Sequence, residues 1–345
     1  MAAPMEAVAK SNDEVFNLLH ANLQLAIDQL KGDDPKDRDF AGFTSEAFWQ
    51  RLEVIVKRLS HEAVKLCVAF SKPPVPAPEE SQKLVNVLEQ CTLMTVSLFY
   101  GLPDTQGLHL QKMLRQGIIT IVTSLQQLAN DLRLNGPQGP QKQLQSTGSV
   151  WESCDAIQEL PRDSGAAAIS ELNSACALVK DALDEIEEAL RTDTESRWSG
   201  LGDVLDEFSD DAWSDTDRQL IAPCLGLVKA AKASLKKTTT AAKSNVAAAV
   251  RRATFALDEL MDQVAMMSPA VDDLITVLYP PLSHASVRLN SVKLANTVKA
   301  LLAFARGTHI CAEEDNEWMD FLVNVVDHNI EKVKQLAPAS NGSVA

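Results

Sequence analysis

The sequence is poor in the features that mark several functional classes. Aromatic residues make up only 5% of its 345 positions, too few for base or sugar stacking to be a main activity. Basic residues are outnumbered, with 32 Lys and Arg against 47 Asp and Glu and a net charge of −15. A surface that acidic repels nucleic acid phosphates as a whole, so direct nucleic acid binding is disfavoured. No run of 18 uncharged apolar residues is present, which predicts no membrane-spanning helix and no membrane partner. The first residues carry Glu6, Lys10, Asp13 and Glu14 and no apolar core, unlike a secretory leader. The six cysteines, Cys67, Cys91, Cys154, Cys176, Cys224 and Cys311, never fall in a Cys-x-x-Cys spacing. Most lie in apolar runs and read as buried free thiols of a cytosolic or nuclear protein.

Strand signals are also nearly absent. Apolar residues recur instead at three- and four-residue spacing. Over 44–71, Phe48, Leu52, Ile55, Leu59, Ala63, Leu66 and Phe70 form one stripe, with Glu46, Arg51, Lys57, Arg58 and Glu62 opposite, until Pro73-Pro74 stops the helix. The same pattern predicts helices over about 4–30, from Pro78 to about 100, 104–134, 149–160, 163–192, from 214 through Pro223 (expected to kink or break it), 245–267, from Ser268-Pro269 to about 278, 284–306 and 314–337. Trp318, Phe321, Leu322, Val325, Ile330 and Val333 are expected to form the buried face of the last helix. The Gly/Gln/Ser-rich stretch 136–148 reads as a loop. Leu52, Leu59 and Leu66 are seven apart, but three leucines are too few for a zipper and read as core. Long helices with short connections favour an all-α fold of two antiparallel bundles. The expected division is an N-terminal bundle over 1–192, an acidic connector over 193–213 and a C-terminal bundle over 213–345.

Charge is segregated along the chain. Residues 181–217 hold fourteen acids and two bases, among them Asp203, Asp206, Glu207, Asp210 and Asp211 in the connector. Residues 218–257 hold eight bases and no acid, with Lys229, Lys232, Lys236 and Lys243 on one helical face. These are either two solvated surfaces that adjoin, or an acidic connector that masks a basic partner-binding face. Ordering about 20 residues costs roughly 1–2 kcal/mol each, and exposed ion pairs return only about 0.2–1 kcal/mol apiece. Any masking is therefore a salt-sensitive bias on the connector. Ser214 with Asp217 has the form of a helix-capping box, and Ser214 before Asp215 and Asp217 is also a candidate site for an acid-directed kinase. Lys236-Lys237 and Arg251-Arg252 are either a solvated face or a weak bipartite import signal.

No catalytic, cofactor-binding or metal pattern emerges. None of the histidines follows an acid by three positions, His61-Glu62 lacks a second histidine at position 65, and His309 with Cys311 has nothing nearby to complete four ligands. Gly200-Leu201-Gly202 lacks a third glycine, and neither a Walker loop nor a Gly-x-Ser-x-Gly elbow occurs. An enzyme would need a site assembled from scattered residues.

Longer strings carry a resemblance. Trp213-Ser214-x-x-Asp217-x-x-Leu220-Ile221-x-Pro223-Cys224-Leu225-x-Leu227-Val228 is followed by Lys232-Ala233-x-Leu235-Lys236-Lys237. Ser268-Pro269-x-Val271-Asp272-Asp273-Leu274 precedes Tyr279-Pro280-Pro281 and Val287-Arg288-x-Asn290-Ser291. With Phe48-Trp49-x-Arg51-Leu52, and Trp151-x-x-Cys154 leading to Pro161-Arg162-Asp163, these strings resemble the cyclin-D-binding protein family over about 45–335. The resemblance implies a non-enzymatic, all-helical protein of nucleus and cytoplasm. Such a protein binds D-type cyclins, lowers cyclin-dependent kinase activity and retinoblastoma phosphorylation, and restrains the cell cycle. It also implies helix-loop-helix transcription factors, bound without a basic DNA-contacting region, and a Grb-type signalling adaptor as partners. The pair of helices over 149–192 is the region expected to serve a helix-loop-helix partner. Lending its apolar faces would uncover side chains worth about 1.5–3 kcal/mol each, so an outer surface is the expected docking site. The alternative is a talin- or vinculin-like bundle adaptor for cytoskeletal or signalling partners.

Overall fold

The computed structural model describes residues 11–32, 40, 42–135, 140–198, 212–245, 253–308 and 310–338. The described residues are all-α and contain no strand. The helices are α1 (Asn12–Lys31), α2 (Ser45–Ala69), α3 (Pro78–Phe99), α4 (Leu108–Asn135), α5 (Pro140–Gln158), α6 (Ser164–Trp198), α7 (Asp215–Asn245), α8 (Ala253–Ala265), α9 (Met267–Thr276), α10 (His284–Arg306) and α11 (Asn316–Leu336). They form two compact units, residues 1–163 and 164–345.

In the first unit helix direction alternates. Asn12 Nδ2 donates to Pro76 O at one end of α1, and Tyr100 OH donates to Gln29 O at the other, so α1 and α3 run parallel. Gln143 bonds Phe70 O and Trp49 Nε1 bonds Arg162 O, which sets α5 antiparallel to α2. Ser146 meets Asp131 and Ile157 lies over Gly117, which sets α5 antiparallel to α4. The stripe read in α2 is buried, Leu52, Leu59 and Leu66 included, except that Ile55 is half-buried and Val56 takes the buried place beside it. Ser11 caps α1 by accepting from the Glu14 N–H, and residues 4–10 of the expected helix lie outside the described residues. Pro78 opens α3, where Glu80 reaches back to the Ala77 N–H.

Part of the expected loop over 136–148 is helix. Over 140–148, α5 buries polar rather than apolar side chains: Gln143, Ser146 and Thr147. Each has its partner in Phe70 O, Asp131 or Gln143 O, so a hydrogen-bonded seam does what an apolar stripe does elsewhere.

In the second unit α6 and α7 are antiparallel. Asp193 pairs with Arg218 at one end, and Cys176 Sγ lies 3.9 Å from Lys232 O towards the other. Alongside, α11 runs antiparallel to α7, with Asn329 over Gly226 and Asn245 Nδ2 donating to Ile310 O. Ion pairs of Lys299 with Asp327 and of Arg306 with Asp320 set α10 antiparallel to α11. One core joins Leu172, Val179, Leu183 and Ile186 of α6 to α7–α11.

Three expectations change here. The expected connector starts within α6, which continues to Trp198. Arg191 spans Glu188 and Glu195, and Thr192 and Thr194 bond back to carbonyls four residues earlier, so this polar turn stays helical without an apolar stripe. The boundary between units falls ahead of α6, because its stripe belongs to the second core. Pro223 does not break α7, and a break was only one of the two outcomes expected there. In α11, Phe321 is 65% exposed, while Met319, Leu322, Val326, Ile330 and Val333 are buried. A true helical period puts Phe321 on the side of Glu317, Asn324 and His328.

Candidate interaction surface

Of the residues singled out in the charged region, Ser214 stands just ahead of α7, and Lys229, Lys232, Lys236 and Lys243 lie along it. Trp213 is buried and its Nε1 donates to Leu278 O at 2.6 Å, which fixes the chain immediately ahead of α7. Ser214 then forms the expected reciprocal box. Its Oγ accepts the Asp217 N–H at 3.1 Å, and Asp217 Oδ2 accepts the Ser214 N–H at 2.9 Å. Asp217 also faces His284 at 3.7 Å. Replacing the box by Ala at Ser214 is expected to lower stability by about 1 kcal/mol, read as a shifted urea midpoint.

The basic face of α7 does not stand alone. Lys229 pairs with Glu187 at 2.7 Å, and Lys232 acts on the Asp184 carboxylate, so acids of α6 already answer two of its four lysines. The Lys180 ammonium beside Asp184 is the main force holding that carboxylate below its usual range. Lys236, Lys237 and Lys243 are exposed and make no ion pair among the described residues. Asp203, Asp206, Glu207, Asp210 and Asp211, like Arg251-Arg252 and His309, lie outside the described residues.

The helices expected to serve a helix-loop-helix partner are divided between the units. Val150, Cys154 and Ile157 are buried in the first, and Leu172, Val179, Leu183 and Ile186 in the second.

Cys67, Cys91, Cys154 and Cys224 are buried free thiols, while Cys176 and Cys311 are half-buried. Burial pushes Cys154 and Cys311 up to about 12, with Asp155 and Asp315 adding to it, and Cys224 up to about 11. Since the thiolate is the reactive form, a thiol reagent at pH 8 is expected to leave Cys154 and Cys224 unlabelled until denaturant is added. Mass mapping of the labelled cysteines checks this. Among the described residues no three His, Cys, Asp or Glu side chains gather as a metal site, and no helix is long and apolar enough to cross a membrane.

A second surface escaped the reading of the sequence. Between α1 and α3 lies a groove of about 290 Å3, lined by Asn22, Leu25, Ala26, Glu89, Thr92 and Leu93 among others. Its only trace in the sequence is that Leu18 and Leu25 repeat at seven residues outside the buried stripe of α1.

Known proteins are similar to this chain along most of its sequence. Family models for the N-terminal and C-terminal parts of Grap2 and cyclin-D-interacting proteins match residues 51–192 and 184–303. They meet inside α6, not at its start. The cyclin-D1-binding protein 1 homolog of Xenopus laevis is 40% identical over 329 residues, covering 94% of this chain and 98% of that protein. The homolog of Danio rerio is 39% identical, covering 88% and 90%, and cyclin-D1-binding protein 1 of Homo sapiens is 34% identical, covering 85% of each. With both family models matched in order and relatives aligned along most of their length, the chain belongs to the Grap2 and cyclin-D-interacting family.

Proposed function

We propose that this protein binds a D-type cyclin and thereby lowers the activity of the associated kinase, so that retinoblastoma phosphorylation falls and the cell cycle slows. The observation that carries the reading is the likeness, along nearly the full chain, to proteins named for binding cyclin D1. The fold supports an interaction role. Its long apolar stripes are buried in two cores, which leaves an acidic exterior with scattered exposed apolar side chains for docking. Helix-loop-helix factors and a Grb-type adaptor are further proposed partners, met on that exterior, since lending α5 or α6 would open a core. The protein is proposed to act in both nucleus and cytoplasm, without catalytic activity of its own.

The test titrates full-length protein into a purified D-type cyclin–kinase complex with a retinoblastoma fragment as substrate. Phosphate incorporation is expected to fall to a plateau as binding saturates. Absence of binding to the purified cyclin overturns the proposal. Repeating the titration with residues 199–211 deleted examines the masking idea. Release of the α7 lysines is expected to alter affinity at low salt and not at about 1 M, where the Debye length is about 3 Å.

Ser214 is proposed as a phosphate acceptor. A phosphate there would face the Asp217 carboxylate that its hydroxyl now bonds at 2.6 Å, so the box would open. Unchanged phosphate incorporation in cells carrying Ser214→Ala would dismiss this.

A further inference from the structure

The groove between α1 and α3 has a chemistry of its own. Its floor is small, at Ala26 and the buried Thr92. Its rims are large and apolar: Leu25 is 66% and Leu93 58% exposed, with Leu18 and Met94 beside them also in solvent. The exposed leucines lie outside the stripes that α1 and α3 bury, so the core gives no reason for them. One turn before Leu93, the half-buried Glu89 accepts from Asn22 Nδ2 at 2.9 Å. Among the described residues no cation pairs with Glu89, so one carboxylate beside an apolar dent is left without a counter-charge.

Of the other charged residues on α1 and α3, Asp28 and Lys31 stand nearest the groove and offset each other, so Glu89 leaves it a net negative charge. Parallel neighbouring helices form a straight trough, the shape that receives a third helix lying along it.

We propose that this groove is a docking site for a basic amphipathic helix of another protein. One large aliphatic side chain of that helix enters the dent over Ala26 and Thr92, between Leu25 and Leu93. A Lys or Arg about one turn away reaches Glu89, because Glu89 and Leu93 are themselves four residues, about 6 Å, apart along the helix. An acidic helix is rejected at the same carboxylate. The site is distinct from the α6–α7 surface and does not depend on cyclin binding.

The test uses full-length protein and a fluorescein-labelled helical peptide of about 18 residues, five turns, built from Leu, Ala and Lys with one apolar stripe. Two controls accompany it: the same composition scrambled so that no stripe forms, and the stripe kept with every Lys replaced by Glu. The protein is acidic overall, so a general attraction for cations binds the scrambled peptide as well as the striped one, and that result overturns the proposal. The expected result is binding of the striped basic peptide roughly tenfold tighter than either control, as for one well-seated anchor. Leu25→Ser with Leu93→Ser, both at exposed positions, is expected to remove that tenfold preference. Glu89→Gln is expected to weaken the basic peptide about two- to fivefold, the size of a part-exposed ion pair, and to leave the scrambled peptide unchanged. Hydrogen exchange with peptide bound is expected to slow in 12–31 and 78–99. If the double variant binds as the parent does, the proposal falls. It falls equally if the groove takes a second copy of this chain, seen as self-association that the double variant abolishes while the peptide fails to bind.

Discussion

Residues 213–345 alone are expected not to fold, whereas residues 164–345 are expected to unfold cooperatively in urea. The difference is α6. Its Leu172, Val179, Leu183 and Ile186 are buried in one core with α7–α11. At about 1.5–3 kcal/mol for each large apolar side chain, these four contribute roughly 6–12 kcal/mol. A whole domain is stable by only about 5–15 kcal/mol. Removing α6 also strips Glu187 from Lys229 and Asp193 from Arg218. The complementary fragments predict the reverse. Residues 1–163 and 1–192 are expected to share one urea midpoint, since the apolar stripe of α6 lies in the second core. Far-UV circular dichroism against urea reads all four fragments. A cooperative transition for 213–345 matching that of 164–345 would place the boundary after α6 instead. The experiment bears on the whole family, because the two family models join within residues 184–192, in the middle of this helix.

That boundary also shows where a sequence is readable and where it is not. Helical period marks which residues of a segment turn inward, and α2 and α10 lie close to where their stripes and stops put them. Local chemistry is just as legible: Ser214 and Asp217 make the box that their spacing predicts. Period does not say which core a stripe enters. The stripe of α6 is equally compatible with helices before or after it, and only packing assigns it to α7–α11. Nor does period see a buried face made of amides and hydroxyls. Gln143, Ser146 and Thr147 look like loop residues until Phe70 O and Asp131 are placed opposite them. The α1–α3 groove was illegible for a related reason. Leu25 and Leu93 are ordinary helix residues in sequence, and a groove exists only once two distant helices lie side by side. On the α6–α7 surface, the lysines were visible as a face, but the position of Lys229 and Lys232 opposite acids of α6 was not.

Trp213→Ala is expected to destabilise the second unit by about 3–5 kcal/mol, the cost of emptying a large buried aromatic site. Trp213 is buried to 5% exposure, and its ring lies 5.9 Å from that of Tyr279. Its indole N–H holds Leu278 O, in the turn between α9 and α10, 65 residues along the chain. Truncation therefore opens a cavity and deprives a buried carbonyl of its donor, about 1–3 kcal/mol if water cannot replace it. It also loosens the entry to α7, where Ser214 caps the helix. Trp213→Phe separates these contributions. It keeps most of the apolar volume and loses the hydrogen bond, so its cost is expected at about 1–2 kcal/mol. Trp49 does the corresponding work in the first unit, buried and bonded to Arg162 O at 2.9 Å. The two substitutions are therefore expected to act on different cores. Native-state hydrogen exchange distinguishes them: Trp213→Ala is expected to lower protection in 215–245 and 267–276 and to leave 45–69 unchanged, and Trp49→Ala the opposite. Equal losses in both units from either substitution would contradict two separately packed cores, and with them the division of the chain ahead of α6.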